Sequence, residues 1–138
     1  MKDTNSYYLL SHKEQPWYKE RSEINSIALG QEIKPASTAY WFAYLENLNY
    51  GDFTKLNTNE VENMSYMFLR SGVNKESFEL KGLNNWNTSN VKYMDYMFYQ
   101  TADIVNWMID LSNWIVTNVI SHNHFNDLEK ITEPKWNN

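Results

Sequence analysis

An internal repeat is the feature that most constrains the fold of this chain. Residues 56–68 (LNTNEVENMSYMF) return as residues 86–98 (WNTSNVKYMDYMF), with seven of thirteen positions identical at an offset of 30. A shorter copy, residues 111–119, matches residues 83–91 at an offset of 28, and residues 35–42 overlay the end of the same block upstream. These matches indicate about four units of 26 to 30 residues. Such units cannot bury their own apolar face and must pack on their neighbours.

Each unit carries apolar residues at the spacing of a short helix. Val61, Met64 and Phe68 recur at i, i+3 and i+7, which is typical of one helix face. Thr58 precedes this stripe, where its hydroxyl can accept a hydrogen bond from a free helix N–H group. Apolar runs such as residues 78–83 alternate as short strands do. The sequence therefore predicts units of strand, polar turn and short helix.

The amino-acid composition agrees with a chain that contains many similar turns. Asparagine accounts for 19 of the 138 residues, and it tolerates turns while offering both a donor and an acceptor. Methionines that could form a soft binding surface instead fall on the predicted inward helix faces, so we expect them in the core. These methionines are Met64, Met67, Met94 and Met97.

Charge and residue usage exclude several classes of protein. Without cysteine there are no disulfides, thiolate metal sites or cysteine nucleophiles. The 17 acidic residues outnumber 12 basic ones, which argues against direct nucleic-acid binding. No stretch approaches the roughly 18 apolar residues of a membrane-spanning helix, and residues 1–30 lack the pattern of an export signal. We expect no membrane insertion and, for the chain as given, a cytoplasmic location.

Several phrases of the sequence are similar to a known repeat family. Residues 83–98 (LNNWNTSNVKYMDYMF), with residues 24–29 and 35–42, closely resemble the BspA-type leucine-rich repeat of bacterial surface proteins and mycoplasma lipoproteins. The resemblance covers about residues 24–120. It implies adhesion or protein binding, no catalytic residues, and a location at the bacterial cell surface. The fold class that we expect is α/β, a short leucine-rich-repeat-like solenoid of strand-turn-helix units with a parallel sheet.

The chain is expected to form a single domain with a cap at each end of the repeats. Residues 1–35 hold two strand-like runs, at 7–10 and 24–29, which predict a hairpin-like N-terminal cap. Residues 36–125 hold about four repeat units. Residues 126–138 are mostly polar, as expected of a C-terminal cap or tail that keeps a repeat array soluble.

No pattern of polar residues points to catalysis. His122 and His124 flank Asn123, but an HNH nuclease needs these residue types far apart and a basic surface. Two histidines at i and i+2 also lie on different sides of a helix, which disfavours a shared metal. The aspartates show no convergent spacing, and the chain lacks a glycine-rich phosphate loop and a Gly-x-Ser-x-Gly elbow. We expect no enzyme activity, no metal and no cofactor.

Aromatic residues are the candidates for partner binding. Tyr40, Tyr66 and Tyr96, followed by His124, occupy the same place in successive units, so packing of the units would align them. Tyrosine suits an interface, but each ring could instead pack on the next unit and expose only its hydroxyl. Trp107 lies in a predicted return loop, where an exposed aromatic would mark a partner site.

The repeats favour a non-enzymatic protein-binding module, adhesin-like in role, that engages another protein through its repeated surface. One alternative is an intracellular inhibitor, borne by a phage or mobile element, whose acidic surface occludes a host enzyme. A further alternative is a structural piece of a larger assembly, which would form a homo-oligomer.

Overall fold

The computed structural model describes residues 8–103 and 107–137, and its regular elements are short. Strands β1, β2 and β3 form one parallel sheet in that order, and β4 and β5 form a separate parallel pair. The strands are β1 (Ser26–Ala28), β2 (Tyr50–Asp52), β3 (Glu79–Lys81), β4 (Ile109–Asp110) and β5 (Ile131–Thr132), and the 3-10 helices are His12–Glu14, Tyr18–Glu23 and Leu83–Asn85.

The predicted fold class is wrong. The described residues contain no α-helix, so the strand-turn-helix unit of a leucine-rich-repeat-like solenoid is not formed. The sheet is also interrupted, because β3 and β4 belong to separate sheets. At the N-terminus the expected hairpin is replaced by 3-10 helices between residues 12 and 23 and by β1, which runs parallel to β2. Tyr7, in the first predicted strand, lies outside the described residues.

Consecutive tight turns occupy the segments that were predicted to be helices. Turns 64–67 and 68–71 are closed by N–H···O=C bonds of 3.3 and 2.9 Å. Their third residues, Tyr66 and Arg70, have φ angles of 63° and 58°, which belong to left-handed turn positions and not to a right-handed helix. Positive φ recurs at the equivalent places of the other repeats, Tyr40, Tyr44, Tyr96, Gln100 and His124.

Backbone N–H groups that a helix would use internally bind the next repeat instead. The N–H groups of residues 64, 66, 68 and 70 donate to the carbonyls of residues 93, 95, 97 and 99, at 2.8 to 3.0 Å. The repeats before and after this pair are bonded in the same alternating way. Isolated parallel bridges join Ser37, Asn63, Tyr93 and Ser121. The sequence offsets of 26 to 30 residues are therefore the steps between bonded repeats.

The apolar stripe is buried although it lies on turns. Val61, Met64 and Phe68 are fully buried, because a chain of four-residue turns returns to the core every three or four residues, as a helix does. The prediction that the four methionines belong to the core is confirmed. Phenylalanines from successive repeats contact one another through the core, with ring centroids 5.4 to 5.6 Å apart. This column is Phe42, Phe68, Phe98 and Phe125.

The turns that the asparagine content predicted are present. The side-chain oxygen of Asn63 accepts the N–H of Ser65 at 2.9 Å, and that of Asn87 accepts the N–H of Ser89 at 3.0 Å. Such contacts fix the chain direction at a corner. Other asparagines join repeats, as the amide of Asn90 does by donating to a carbonyl 31 residues earlier in the chain.

Side chains cover the carbonyls of the first repeat. The amide nitrogen of Gln15 donates to the carbonyls of Tyr40, Trp41 and Ala43, at 2.7, 3.2 and 3.0 Å. The indole N–H of Trp17 also donates to the carbonyl of Trp41, at 3.0 Å. These bonds satisfy acceptors that a preceding repeat would otherwise satisfy.

A tryptophan covers part of the opposite end. Trp136 stacks on His122 with ring centroids 3.9 Å apart. The rings of Trp136 and Phe125 meet in an edge-to-face arrangement with centroids 5.0 Å apart. The indole N–H of Trp136 donates to Glu133 at 2.7 Å. The exact borders of the caps, at residues 35 and 125, stay predictions.

Substitutions at Gln100 distinguish turns from a helix. Gln100 has a φ of 52°, so glycine there should give a higher free energy of unfolding than alanine, by about 1 kcal/mol. In a helix the order would be reversed by a similar amount. Both variants lose the same contact with Arg70. Urea denaturation of Gln100→Gly and Gln100→Ala measures the difference, and a more stable alanine variant would contradict the turn structure.

Candidate functional site

Four aromatic rings stack along one side of the repeats. The rings of Tyr40 and Tyr66 lie 4.6 Å apart and are parallel within 3°, and those of Tyr66 and Tyr96 lie 5.3 Å apart and within 4°. His124 continues the row at 4.9 Å from Tyr96. We call Tyr40, Tyr66, Tyr96 and His124 the tyrosine stack. The alignment that the sequence predicted for these residues is therefore present, on turns and not on helices.

The backbone under the stack is strained. All four residues have φ between 52° and 66°, a conformation that costs about 1–2 kcal/mol for a residue with a side chain. Asparagine and glycine adopt it more readily. Stacking stabilises the folded state by about 0.5–1.5 kcal/mol per pair of rings, which partly offsets this strain. Strain of this kind is concentrated at functional sites, where the side chain has a use of its own.

Each ring of the three tyrosines is half-buried by its neighbours, while His124 is exposed. Burial, together with the neighbouring Tyr66, raises the pKa of Tyr40. Burial, the carboxylate of Asp95 and the neighbouring Tyr96 raise the pKa of Tyr66. These two hydroxyls are therefore neutral at physiological pH. The rings pack on one another and also remain partly accessible to solvent. The stack therefore combines the two alternatives considered from the sequence, packing on the next repeat and exposure to a partner.

A groove of about 320 Å³ lies beside the stack, and we call it the tyrosine groove. Its wall contains exposed apolar and aromatic groups, since Tyr8, Leu10 and Tyr93 are 53%, 73% and 39% accessible. Asp95 is the only charged residue among the described side chains that line it. The lining consists of Tyr8, Leu9, Leu10, Tyr40, Asn63, Ser65, Tyr66, Tyr93 and Asp95.

Two important groove residues were missed in the sequence. Tyr93 stands where the preceding repeat has Asn63, and Asp95 stands where it has Ser65. Both differ from the preceding repeat at positions that line the groove. Comparing repeats for differences, in addition to identities, would have found them.

Trp107 does not belong to this surface, and its expected exposure is wrong. Its side chain is 3% accessible, and its ring packs edge-on against Phe78 at 5.0 Å. Met108, the next residue, is exposed instead. A return loop can bury its aromatic residue when the neighbouring repeat supplies an apolar wall, and Phe78 supplies it here.

The two histidines singled out in the sequence are held apart by their partners. His122 lies on Trp136, and His124 lies on Tyr96. Within residues 8–103 and 107–137, no group of three or more histidine, aspartate or glutamate side chains is placed to hold a metal ion.

The structure defines a class of protein, namely a chain of turn-built repeats bonded in parallel, with an aromatic stack on the surface. Residues 36–137 match the family described as "Mycoplasma protein of unknown function, DUF285", and the chain belongs to this family. The predicted relationship to mycoplasma proteins is confirmed at this level. None of the curated proteins and none of the solved structures matches the chain. The described part of the chain has no helix of the length and apolarity needed to cross a membrane.

The raised pKa values of the stack predict a loss of stability in alkali. Tyr40 and Tyr66 ionise at their ordinary pKa of 10.0 in the unfolded chain and at higher pH when folded. The folded state thus retains protons that the unfolded state loses, and the free energy of unfolding falls as the pH rises above 10.0.

The double variant Tyr40→Phe/Tyr66→Phe keeps both rings and removes both hydroxyls. Urea denaturation between pH 8 and about pH 11 should show a smaller decrease in its stability than in the wild type. A control variant, Tyr18→Phe/Tyr50→Phe, loses two hydroxyls outside the stack and measures the effect of removing two hydroxyls in itself. Equal decreases in all three proteins would contradict the prediction.

Proposed function

We propose that this protein is a non-enzymatic binding module that engages another protein through the tyrosine stack and the tyrosine groove. The observation that carries the proposal is the presence of Tyr40, Tyr66 and Tyr96 at left-handed backbone positions. Asparagine would relieve the strain, and the sequence uses it 19 times elsewhere. The next left-handed position of each repeat varies, as Tyr44, Arg70 and Gln100, whereas this position is tyrosine three times, which supports a use for the rings themselves.

The physical properties of this surface suit protein recognition. Tyrosine offers apolar area and a hydroxyl at low conformational cost, and rings held by their neighbours have little freedom left to lose on binding. Exposed Leu10 and Tyr93 extend the surface into the groove. Aromatic anchors surrounded by such groups typically contribute most of the affinity of an interface.

The excess of acidic residues supports a protein partner in preference to nucleic acid. The resemblance of residues 83–98 to BspA-type repeats supports an adhesin-like version of the role, in which the partner is a surface protein. The stacked faces of the rings cover one another, so the stack offers edges and hydroxyls, and protein side chains can contact these without separating the rings.

Replacing a ring by asparagine tests the proposal without adding backbone strain. The immobilised wild-type protein captures partners from a lysate of the source cells, and the affinity of each purified partner is measured by surface plasmon resonance. Tyr66→Asn should weaken the specific partner by tenfold or more, because a central aromatic anchor is worth about 2 kcal/mol. Tyr66→Asn/Tyr96→Asn should abolish capture.

A matched control removes an exposed apolar side chain elsewhere. Ile115 is exposed and does not line the tyrosine groove, so Ile115→Asn should retain the partner with wild-type affinity. Thermal denaturation establishes that all variants are folded. Undiminished affinity in a folded Tyr66→Asn/Tyr96→Asn protein would show that the stack is not the interface.

A further inference from the structure

The tyrosine groove has an unusual balance of groups. Aromatic rings of Tyr40, Tyr66 and Tyr93 supply much of its wall, and the one charged side chain among its described lining is an aspartate, Asp95. Tyr40 and Tyr96 cover both faces of Tyr66. The aromatic group open to a cation beside Asp95 is therefore the exposed ring of Tyr93. An aromatic face attracts cations through the ring quadrupole, and a carboxylate attracts them by charge. The groove is therefore complementary to a positively charged group.

The carboxylate of Asp95 is held in place by its own repeat and the next one. Its Oδ1 atom accepts the hydroxyl of Ser121 at 2.6 Å and the backbone N–H of Asn123 at 2.8 Å. The backbone N–H of Asp95 donates to the hydroxyl of Ser65 at 3.0 Å. Four ion pairs join described residues, and none of them includes Asp95. The carboxylate is thus oriented without being neutralised by a cationic side chain of the described chain.

The size and shape of the groove favour arginine as the cation. An open groove of about 320 Å³ has room for one long side chain. A guanidinium group is planar, stacks on aromatic rings and pairs with a carboxylate, whereas the ammonium group of lysine is a strongly hydrated point charge. The exposed apolar Leu10 can contact the methylene groups of such a side chain.

We propose that the tyrosine groove binds an arginine side chain of the partner protein, on the exposed ring of Tyr93 and against the carboxylate of Asp95. The inference rests on the proposed function, since it names the chemistry of the partner at the same surface. The net charge of −5 favours the approach of a basic segment.

Short synthetic peptides test this inference directly. Three hexapeptides, blocked at both ends and identical in their other residues, carry arginine, lysine or citrulline at the centre. Citrulline keeps the shape of arginine and lacks its charge. Isothermal titration calorimetry with the 138-residue chain should give the tightest binding for the arginine peptide. Binding of the citrulline peptide should be weaker by about tenfold, as expected for loss of a charge-assisted hydrogen bond.

Two variants locate the binding in the groove. Asp95→Asn retains an Oδ1 acceptor for Ser121 and Asn123, so the fold is preserved while the charge is lost. It should lose most of the preference for the arginine peptide over the citrulline peptide. Glu60→Gln makes the same change of net charge at a residue that pairs with Lys34 and does not line the groove, and it should keep the preference.

The outcomes separate this inference from the proposed function. Equal binding of the arginine and citrulline peptides to the wild type, no measurable binding of the arginine peptide, or equal effects of Asp95→Asn and Glu60→Gln would each overturn the arginine site. If a captured partner is lost by Tyr66→Asn and bound fully by Asp95→Asn, the protein-binding role stands and the arginine site does not. If Tyr66→Asn keeps the partner, the proposed function itself fails.

Discussion

The alternating backbone hydrogen bonds between repeats determine the rest of this structure. Every second N–H group from residue 64 to residue 70 donates to the next repeat, which leaves a helix only half of the donors that it needs. The chain between these bonds must therefore close in four-residue turns, whose third position is left-handed. Side chains at that position, among them Tyr66 and Tyr96, are brought into line by the same bonds. The turns, the strain and the aromatic stack thus have one cause.

The sequence could predict those features that arise because equivalent positions of successive repeats lie side by side. The spacing of the repeats and the burial of Met64 and Met94 follow from the internal identities, because bonded repeats place like residues side by side. The element inside each repeat could not be predicted in the same way. Apolar residues at i, i+3 and i+7 satisfy a helix and a chain of turns equally, and the decision rests on where the N–H groups bind.

The candidate site was predictable to a similar extent. Tyr40, Tyr66 and Tyr96 align because they hold one place in the repeat, and that argument needs no knowledge of the element they lie on. Trp107 has no such counterpart, and loop exposure was a poor guide because the ring found an apolar wall. Tyr93 and Asp95, which differ from the equivalent residues of the preceding repeat, supply an exposed ring and the negative charge of the groove. Identities between repeats thus reveal the scaffold and the tyrosine stack, whereas differences reveal the groove beside the stack.

Within the turn segments the alternating hydrogen bonds run in one direction, from the N–H groups of one repeat to the carbonyls of the next, whereas residues just before the turns, such as residue 62, donate back to the preceding repeat. The turn segment of the first repeat is therefore left with carbonyls that no earlier turn segment reaches, and the donors of Gln15 and Trp17 bind them. Near the other end a side-chain acceptor, the carboxylate of Asp127, receives the N–H of Gln100. Because the turn segment of an internal repeat presents N–H donors on one side and carbonyls on the other, a further repeat inserted in the middle would find both kinds of partner, and the chemistry of the two ends would stay unchanged.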